Sequence, residues 1–236
     1  MRDVGLGDRC PEVGYLQRLI NYQNFWEGRV ENELTEDCAF GPRTLAALNA
    51  YQTLQGITPS ETTNRHTWMS LGHVNEIEHE VELFPQPSDM TCWSAAATML
   101  FGDRSVGPGE AEINPRTFGL DQDPDNIRTF LTGAGLTFHE PRRWEISELI
   151  GMIRHSPLWV AGRWRQGSHA GAHVVVVSAL WSSGDLQSGG TALRIHDPWP
   201  PRRGAIYGGC YEAYTIRGFR TGNSNFNAGM LAIAHR

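Results

Sequence analysis

Positive charge and cysteine are both scarce in this sequence. Its 236 residues include 20 Lys and Arg against 26 Asp and Glu, for a net charge of −6, and only four cysteines. A surface that binds nucleic acid needs a basic patch, and short pairs such as Arg142-Arg143 are typical of a solvated face instead. We therefore expect no nucleic acid among the partners.

Long apolar runs are also missing. No stretch of about 18 apolar residues, the length that spans a bilayer, occurs in the chain. The opening residues Met1–Gly5 do not lead into the apolar segment of a Sec signal peptide. No spacing typical of metal ligands connects the cysteines and histidines. We expect no membrane span, no metal and no other cofactor.

One cysteine stands in the setting of a nucleophile. Cys92 follows Gln86 by six positions and precedes the small residues Ala95–Ala97, which favour a helix. A helix N-terminus stabilises a thiolate through its partial positive charge and its free N–H groups. The side-chain amide of Gln86 can donate beside those groups, where the oxyanion of a tetrahedral intermediate would form. An isolated cysteine is more commonly a buried structural residue, so the assignment depends on the rest of the chain.

A base and an orienting acid follow downstream. His173 opens a run of β-branched residues that predicts a buried strand, and Asp197 ends a second strand after a turn. Together these strands predict a hairpin that brings the two side chains together. Asp197 would then accept a hydrogen bond from one imidazole nitrogen and leave the other to face Cys92.

These residues resemble the papain-like cysteine peptidases, and most closely the compact bacterial branch that includes bacteriocin-leader peptidases and papain-like secreted effectors. The matching pieces are Gln86, the Cys92-Trp93 pair with Ala95 to Ala97 and Met99 behind it, the His173 strand and Asp197-Pro198-Trp199. The chain differs from papain in lacking Cys-Gly-Ser before the nucleophile, in a shorter separation of cysteine and histidine, and in Asp where papain has Asn. These differences favour the compact branch.

The resemblance implies a role for each residue. Cys92 would be the nucleophile, His173 the general base and acid, Asp197 the orienting residue and Gln86 the oxyanion donor. Trp199 matches the aromatic residue that shields the histidine and its partner from water in papain.

Two further histidines lie close to this hairpin. His169 precedes an alanine, as the papain histidine does, but it falls in a glycine-flanked loop, whereas the apolar strand begins directly after His173. We therefore prefer His173 as the base. His196 neighbours Asp197, and alternation along the strand directs it to the opposite face.

Residues 8–72 carry a helical pattern of their own. Apolar residues recur at helical spacing from Val13 to Ile20, a second helix is predicted from Pro42 to a stop at Gly56, and a third lies around Thr67–Leu71. The pattern resembles the three-helix peptidoglycan-binding module, which implies binding to the cell wall. The same helical module also serves as the pro-segment of metalloproteinases, so a docking or structural role stays open.

The sequence thus predicts two domains. Residues 1–73 form a small all-α three-helix domain, and residues 74–236 form a papain-like, two-lobed α+β peptidase domain with its helices first and an antiparallel sheet second. The Gly-, Pro- and Asp-rich excursion over 101–123 either shapes access to the cleft or is a long surface loop. Because the pattern of 1–73 is self-contained, we expect the peptidase part to fold without it.

The remaining cysteines have no catalytic setting. Cys10 and Cys38 precede the first and second predicted helices, and a disulfide between them is left open at this point. Cys210 lies in a Tyr- and Gly-rich stretch and is expected to be an inert thiol.

Two classes of function are compatible with these features. The first is a cysteine peptidase targeted to the bacterial cell wall, either an antibacterial effector or a lysin, which reaches the periplasm, the wall or a target cell without a Sec signal. Its partners would be a peptide or protein substrate, peptidoglycan and, for a toxin, an immunity or inhibitor protein. A protease toxin that uses residues 1–73 to dock or to inhibit itself is a variant of this class. The second class is a catalytically silent binding protein, which has no need of the complete set of Gln, Cys, His and Asp.

Overall fold

The computed structural model describes residues 1–166, 169–184, 190–212, 218–221, 224–227 and 231–236. The α-helices within these ranges are α1 (Pro11–Trp26), α2 (Pro42–Leu54), α3 (Arg65–Ser70), α4 (Cys92–Phe101), α5 (Pro124–Ala134) and α6 (Ile146–Ile153). The strands are β1 (Asn75–Glu78), β2 (Thr137–Arg142), β3 (Leu158–Gln166), β4 (His169–Ser182), β5 (Thr191–Asp197), β6 (Ala205–Glu212), β7 (Gly218–Thr221), β8 (Ser224–Phe226) and β9 (Leu231–His235). This mixture of helices and antiparallel strands is an α+β fold.

The strands form one antiparallel sheet that closes on itself. The order from β4 through β5, β6, β7 and β8 returns to β3, which pairs with β4 again. Outside this ring, β1 pairs with β4, while β9 and β2 extend from β3. A closed sheet leaves few unpaired edges and encloses an apolar core.

Strand β4 separates two of the apolar cores. Val175 and Val177 belong to the core enclosed by the sheet, together with residues of α6. Val174 and Val176 point the other way, into a core shared with α4 and α5. A strand that is buried on both faces has an uninterrupted apolar sequence, which explains the four consecutive valines.

The helical part, residues 1–73, contains three α-helices, as its pattern predicts. Pro42 is the first residue of α2, where its missing N–H costs no hydrogen bond. Leu48 and Tyr51 of α2 are buried, whereas Leu54, which helical spacing puts on the same face, is 57% exposed. Leu54 is the last residue of the helix and lies beyond the core.

The core of the helical part continues into the sheet. Tyr15 and Trp68 belong to one apolar cluster with Trp181 of β4 and Ala192 of β5. The ring of Tyr15 lies 5.8 Å from that of Trp68 and 6.5 Å from that of Trp181. The sequence pattern thus changes between residues 73 and 74, but the apolar packing is continuous between the two parts. Two separate domains remain a prediction.

A buried ion pair crosses the same interface. Arg18 of α1 lies 3.0 Å from the carboxylate of Glu212 on β6 and 3.2 Å from that of Glu36. Because a buried charge is costly without its partner, these contacts fix α1 against the sheet.

The segment that follows α3 forms a strand, and this strand begins at an earlier residue than the sequence predicts. The sequence leaves 73–83 as a linker or as an extended lead-in from Glu78 onward. In the structure, β1 ends at Glu78 and pairs with Ala179–Ser182 along β4. Arg194 then holds the following residues by donating to the carbonyl of His79 at 2.9 Å. Residues Asn75–Glu78 are polar and have little strand propensity of their own, so their strand depends on pairing with β4.

Strand β6 has no counterpart in the sequence prediction because two glycines interrupt its pattern. A Cβ at Gly208 would lie 2.5 Å from the sulfur of Cys38, so only glycine lets the helical part approach this strand. The last strand was expected at Met230–Ala234 and is Leu231–His235, with Met230 outside the described residues. The predicted turn after β4 falls largely on 185–189, which also lie outside them.

None of the four cysteines, all of which lie in the described ranges, forms a disulfide. Cys10 and Cys38 are neighbours, since the backbone N–H of Cys10 donates to the carbonyl of Cys38 at 3.1 Å, but no disulfide joins them. Of the helices in the described ranges, none has both the length and the apolar character needed to cross a membrane.

Candidate active site

Cys92 lies at the helix start where the sequence places it. It is the first residue of α4 and is half-buried. The entry turn is fixed by Thr91, whose hydroxyl donates to the carbonyl of Ser88 at 3.0 Å. The indole N–H of Trp159 on β3 donates to the carbonyl of Trp93 at 3.1 Å and ties the first turn to the sheet. The thiol is therefore held beside N–H groups that have no partner within the helix.

His173 and Asp197 are in direct contact. Nε2 of the imidazole lies 2.7 Å from Oδ1 of the carboxylate. Strands β4 and β5 pair with Val176 opposite His196, which puts Asp197 diagonally across from His173 on the same face. Both side chains are largely buried, with 13% and 10% exposed.

The carboxylate of Asp197 has two further donors. The backbone N–H of Trp199 donates to Oδ1 at 2.8 Å, and the hydroxyl of Tyr207 donates to Oδ2. Sequence reasoning did not identify Tyr207, because its strand β6 was not predicted.

The imidazole of His173 favours its protonated form. Burial by itself would lower the pKa of His173, but the hydrogen bonds to Asp197 and Cys92 outweigh it and raise the pKa to about 10. Since Nε2 is engaged by Asp197, Nδ1 is the nitrogen available to the thiol. An imidazolium beside a cysteine stabilises the thiolate, the nucleophilic form.

Aromatic rings flank the imidazole of His173. The ring of Trp164 meets it edge-on at 6.2 Å between centroids, and that of Phe226 lies 6.5 Å away. Trp199 is 45% exposed and contributes its backbone N–H to Asp197. Shielding by Trp199 stays a prediction, while Trp164 and Phe226 are the rings found against the imidazole. Trp164 on β3 and Phe226 on β8 lie beside each other because the closed sheet pairs these two strands. No sequence motif identifies either ring.

Gln86 is fully buried in the loop that precedes α4. Its Nε2 donates to the carbonyl of Ser88 at 2.6 Å, and its Oε1 is buried with no hydrogen-bond partner among the described residues. The backbone of the loop is held beside the hairpin, because the N–H of Gln86 donates to the carbonyl of Pro198 at 3.1 Å. The amide hydrogens are thus turned towards their own loop, and an oxyanion role for Gln86 remains a prediction.

His196 lies on the face of β5 opposite to that of Asp197. His196 pairs with Val176 and Ile206 across the sheet. Both of its ring nitrogens are buried without a partner in the described part of the chain, and burial, followed by the charge of Arg194, lowers its pKa to about 4. His169 is the first residue of β4, and its side chain is outside the description.

A cavity of about 70 Å³ adjoins Cys92 and His173. Its wall includes residues 119–122, so the excursion over 101–123 lines the site, one of the two alternatives that the sequence left open. The indole N–H of Trp93 donates to the carbonyl of Phe118 at 3.1 Å and anchors the excursion to α4.

The cavity wall is mostly apolar with two carboxylates. The apolar lining includes Leu120, Ile127 and Trp159, and the carboxylates belong to Asp89 and Asp121. Such a site accepts an apolar side chain and repels an acidic one. No cluster of three or more His, Cys, Asp or Glu side chains in the described ranges is arranged to hold a metal ion.

A thiol at the start of a helix, lining one cavity with an imidazole that is hydrogen-bonded to a carboxylate, is compatible with the chemistry of a cysteine peptidase. The sequence model of the family described as papain-like cysteine protease AvrRpt2 matches residues 72–209, more than half of the chain. The chain belongs to this family and is a cysteine peptidase. No curated protein matches it. The family match begins after the helices of residues 1–71 and therefore does not test the peptidoglycan-binding resemblance. The bacteriocin-leader branch also stays a prediction, because the match names a different branch of papain-like proteases.

Proposed function

We propose that this peptidase cleaves protein substrates with Cys92 as nucleophile, His173 as general base and acid, and Asp197 as the orienting residue. The observation that carries the proposal is the hydrogen bond of 2.7 Å between His173 and Asp197. The thiol of Cys92 lines the same cavity as this imidazole and interacts with it electrostatically. These are the contacts that nucleophilic catalysis by a thiol requires.

The reaction proceeds through an acyl-enzyme. The thiolate of Cys92 attacks the carbonyl carbon of the scissile bond, and the carbonyl oxygen becomes an oxyanion. His173 gives its proton to the leaving amine as the C–N bond breaks. A water molecule then attacks the thioester, His173 takes its proton, and the S–C bond breaks to release the carboxylic acid and the thiolate.

The oxyanion would be stabilised at the start of α4. Cys92 is the first residue of this helix, and the N–H groups of a first helical turn have no intrahelical partner. Gln86 adds a donor once its amide turns away from the carbonyl of Ser88. The protein substrate would place an apolar side chain in the cavity lined by Leu120 and Ile127.

Wild type and Cys92→Ala, incubated with a cell lysate and with purified sacculi, test this function. New protein N-termini that appear only with the wild type would support it. If only muropeptides were released, the substrate would be the stem peptide of peptidoglycan. If both proteins produced the same fragments, Cys92 would not be the nucleophile.

We further propose that residues 1–73 bind the cell wall and that the protein is delivered there, or to the periplasm of a target cell, as an antibacterial effector or lysin. What supports this is a surface groove of about 730 Å³ between the end of α2 and α3. His66 and Met69 line it, and Met69 is 61% exposed. A toxin of this kind would need an immunity or inhibitor protein in the producing cell.

Sedimentation of the full chain with purified peptidoglycan tests the wall proposal. The wild type should pellet, and a His66→Ala, Met69→Ala double variant should remain in solution. Trp26→Ala is the matched control, because Trp26 is also exposed on the helical part, at 64%, and does not line this groove. Failure of the wild type to pellet would favour the alternative in which residues 1–73 dock on the peptidase part. The cluster that Tyr15 shares with Trp181 supports that alternative.

A further inference from the structure

We propose that Tyr207 is a positioning residue that orients Asp197 and, through it, the imidazole of His173. The inference rests on the roles proposed above for these two residues. It adds a fifth side chain to the four, Gln86, Cys92, His173 and Asp197, that the sequence identifies.

Three neighbouring strands carry the three side chains. His173 lies on β4, Asp197 ends β5 and Tyr207 belongs to β6. Strand β6 pairs with β5 so that Tyr207 faces Ile195 and Ala205 faces Asp197. Tyr207 is therefore diagonal to Asp197, just as Asp197 is diagonal to His173. Each side chain in this row contacts the next one across the sheet.

Every polar partner of the carboxylate of Asp197 among the described residues is a donor. Oδ1 accepts from Nε2 of His173 at 2.7 Å and from the N–H of Trp199 at 2.8 Å. Oδ2 accepts from the hydroxyl of Tyr207. A buried carboxylate oxygen without a donor is costly, so without Tyr207 the carboxylate would gain by rotating towards other donors. Rotation would carry Oδ1 away from His173.

The ring of Tyr207 is itself held in place. It is partly buried and packs against the apolar core inside the sheet. The hydroxyl thus arrives on a rigid strand rather than on a loop. A donor that is fixed in this way stabilises one rotamer of Asp197 before substrate binds.

The test is Tyr207→Phe in the full chain, which removes only the hydroxyl. We expect kcat/KM to fall about tenfold through kcat, with KM unchanged, because the variant loses a charge-assisted hydrogen bond and not a substrate contact. The downfield proton resonance of His173 Nε2–H should shift, since its acceptor has moved. Tyr211→Phe is the control. It lies on the same strand, is fully buried, and accepts from the N–H of Trp144 at 2.8 Å.

A double-mutant cycle separates positioning from general support of the fold. In an Asp197→Ala background there is no carboxylate to orient, so Tyr207→Phe should change kcat by less than about twofold. An equal tenfold loss in both backgrounds would show that Tyr207 does not act through Asp197 and would overturn the inference. Incorporation of 3-fluorotyrosine at position 207, which strengthens the donor, should shift the His173 resonance in the opposite direction from Tyr207→Phe.

The outcomes also distinguish this inference from the proposed function. Wild-type kcat and an unmoved resonance in Tyr207→Phe, with Cys92→Ala inactive and the kcat of Asp197→Ala measurable but far below that of the wild type, would overturn only the role of Tyr207. Full activity of Cys92→Ala would overturn the proposed function itself.

Discussion

Three glutamines are buried in the described part of the chain, two in the helical part and one beside the site, and their hydrogen bonding differs. Gln17 and Gln52 of the helical part bond through both ends of the amide. Nε2 of Gln17 donates to Asp37 at 2.8 Å while its Oε1 accepts from the N–H of Cys38 at 3.1 Å. Gln52 likewise donates to the carbonyl of Thr62 and accepts from the N–H of Ser60. These amides fasten loops to helices.

Gln86 is as deeply buried but only half satisfied, because Oε1 has no partner among the described residues. A buried polar group without its hydrogen bond costs stability, and proteins retain such groups mainly at functional sites. Burial alone therefore does not distinguish a structural glutamine from a functional one. The separating observation is whether each end of the amide has a partner.

The largest effect should come from Cys92→Ala. We expect kcat/KM to fall by about 10⁴-fold or more, because the nucleophile is lost. The melting temperature should stay unchanged, since alanine fits the first turn of α4. Peptide hydrolysis and thermal unfolding measure the two quantities.

Alkylation gives the control for Cys92. At about pH 6, iodoacetamide should label Cys92 in preference to Cys210, because a thiolate is the reactive form and Cys210 is buried at 4% exposure. Equal labelling of both thiols would contradict an activated Cys92.

Loss of the helical part should have the next largest effect. A chain that begins at residue 74 would expose Trp181, which is fully buried against Tyr15 and Trp68. We now expect this chain to aggregate, contrary to the expectation from sequence that the peptidase part folds alone. Solubility and the far-UV spectrum measure the outcome.

Single substitutions in the full chain sharpen this test. Trp181→Ala should lower the free energy of unfolding by about 3–5 kcal/mol. Trp26→Ala, at an exposed position of the helical part, should leave it unchanged. Two separate unfolding transitions in the wild type would show that the parts are independent after all.

The sequence predicted the elements of this fold better than their packing. Local periodicity placed the three helices of the helical part, the start of α4 and the hairpin of β4 and β5. It did not show that Trp181 packs on Tyr15, because contacts between distant segments leave no periodic signal. Strand β6 was missed for a related reason, since Gly208 is required by the approach of Cys38 and weakens the strand pattern.

The same limit applies to the candidate site. Cys92, His173 and Asp197 follow from local motifs, and the structure brings all three together. Tyr207, Trp164 and Phe226 reach the hairpin only through closure of the sheet. Local sequence patterns therefore could not predict that these three side chains lie at the site.

Substitution of Asp197 should have an intermediate effect that depends on pH. The hydrogen bond to Asp197 is one of the interactions that raise the pKa of His173 to about 10. Because the reactive form contains the imidazolium, activity should be lost as pH rises through this pKa. In Asp197→Asn the carboxylate charge is gone, the pKa of His173 falls, and the alkaline limb of kcat/KM should move to lower pH.

The retained activity should depend on the replacement at position 197. Asp197→Asn keeps an oxygen that accepts from Nε2 of His173 and should stay measurably active, whereas Asp197→Ala should lose far more. Asp89→Asn is the control, since this carboxylate lines the cavity without orienting His173. An unmoved alkaline limb in Asp197→Asn would mean that Asp197 does not act on the imidazole.

The smallest effects come from the glutamines themselves and test the comparison directly. Gln86→Ala should reduce kcat by about 10- to 100-fold through a lost oxyanion donor, and leave the free energy of unfolding nearly unchanged, because one end of its amide is already unpaired.

Gln52→Ala should have the opposite pair of effects, a lower free energy of unfolding and an unchanged kcat. It leaves the N–H of Ser60 and the carbonyl of Thr62 without their partner, at a cost of about 2–4 kcal/mol, with kcat unchanged. Urea unfolding and steady-state kinetics on both variants decide the matter. If Gln86→Ala lost stability and kept its kcat, Gln86 would be a third structural glutamine, and the oxyanion would depend on the N–H groups of α4 alone.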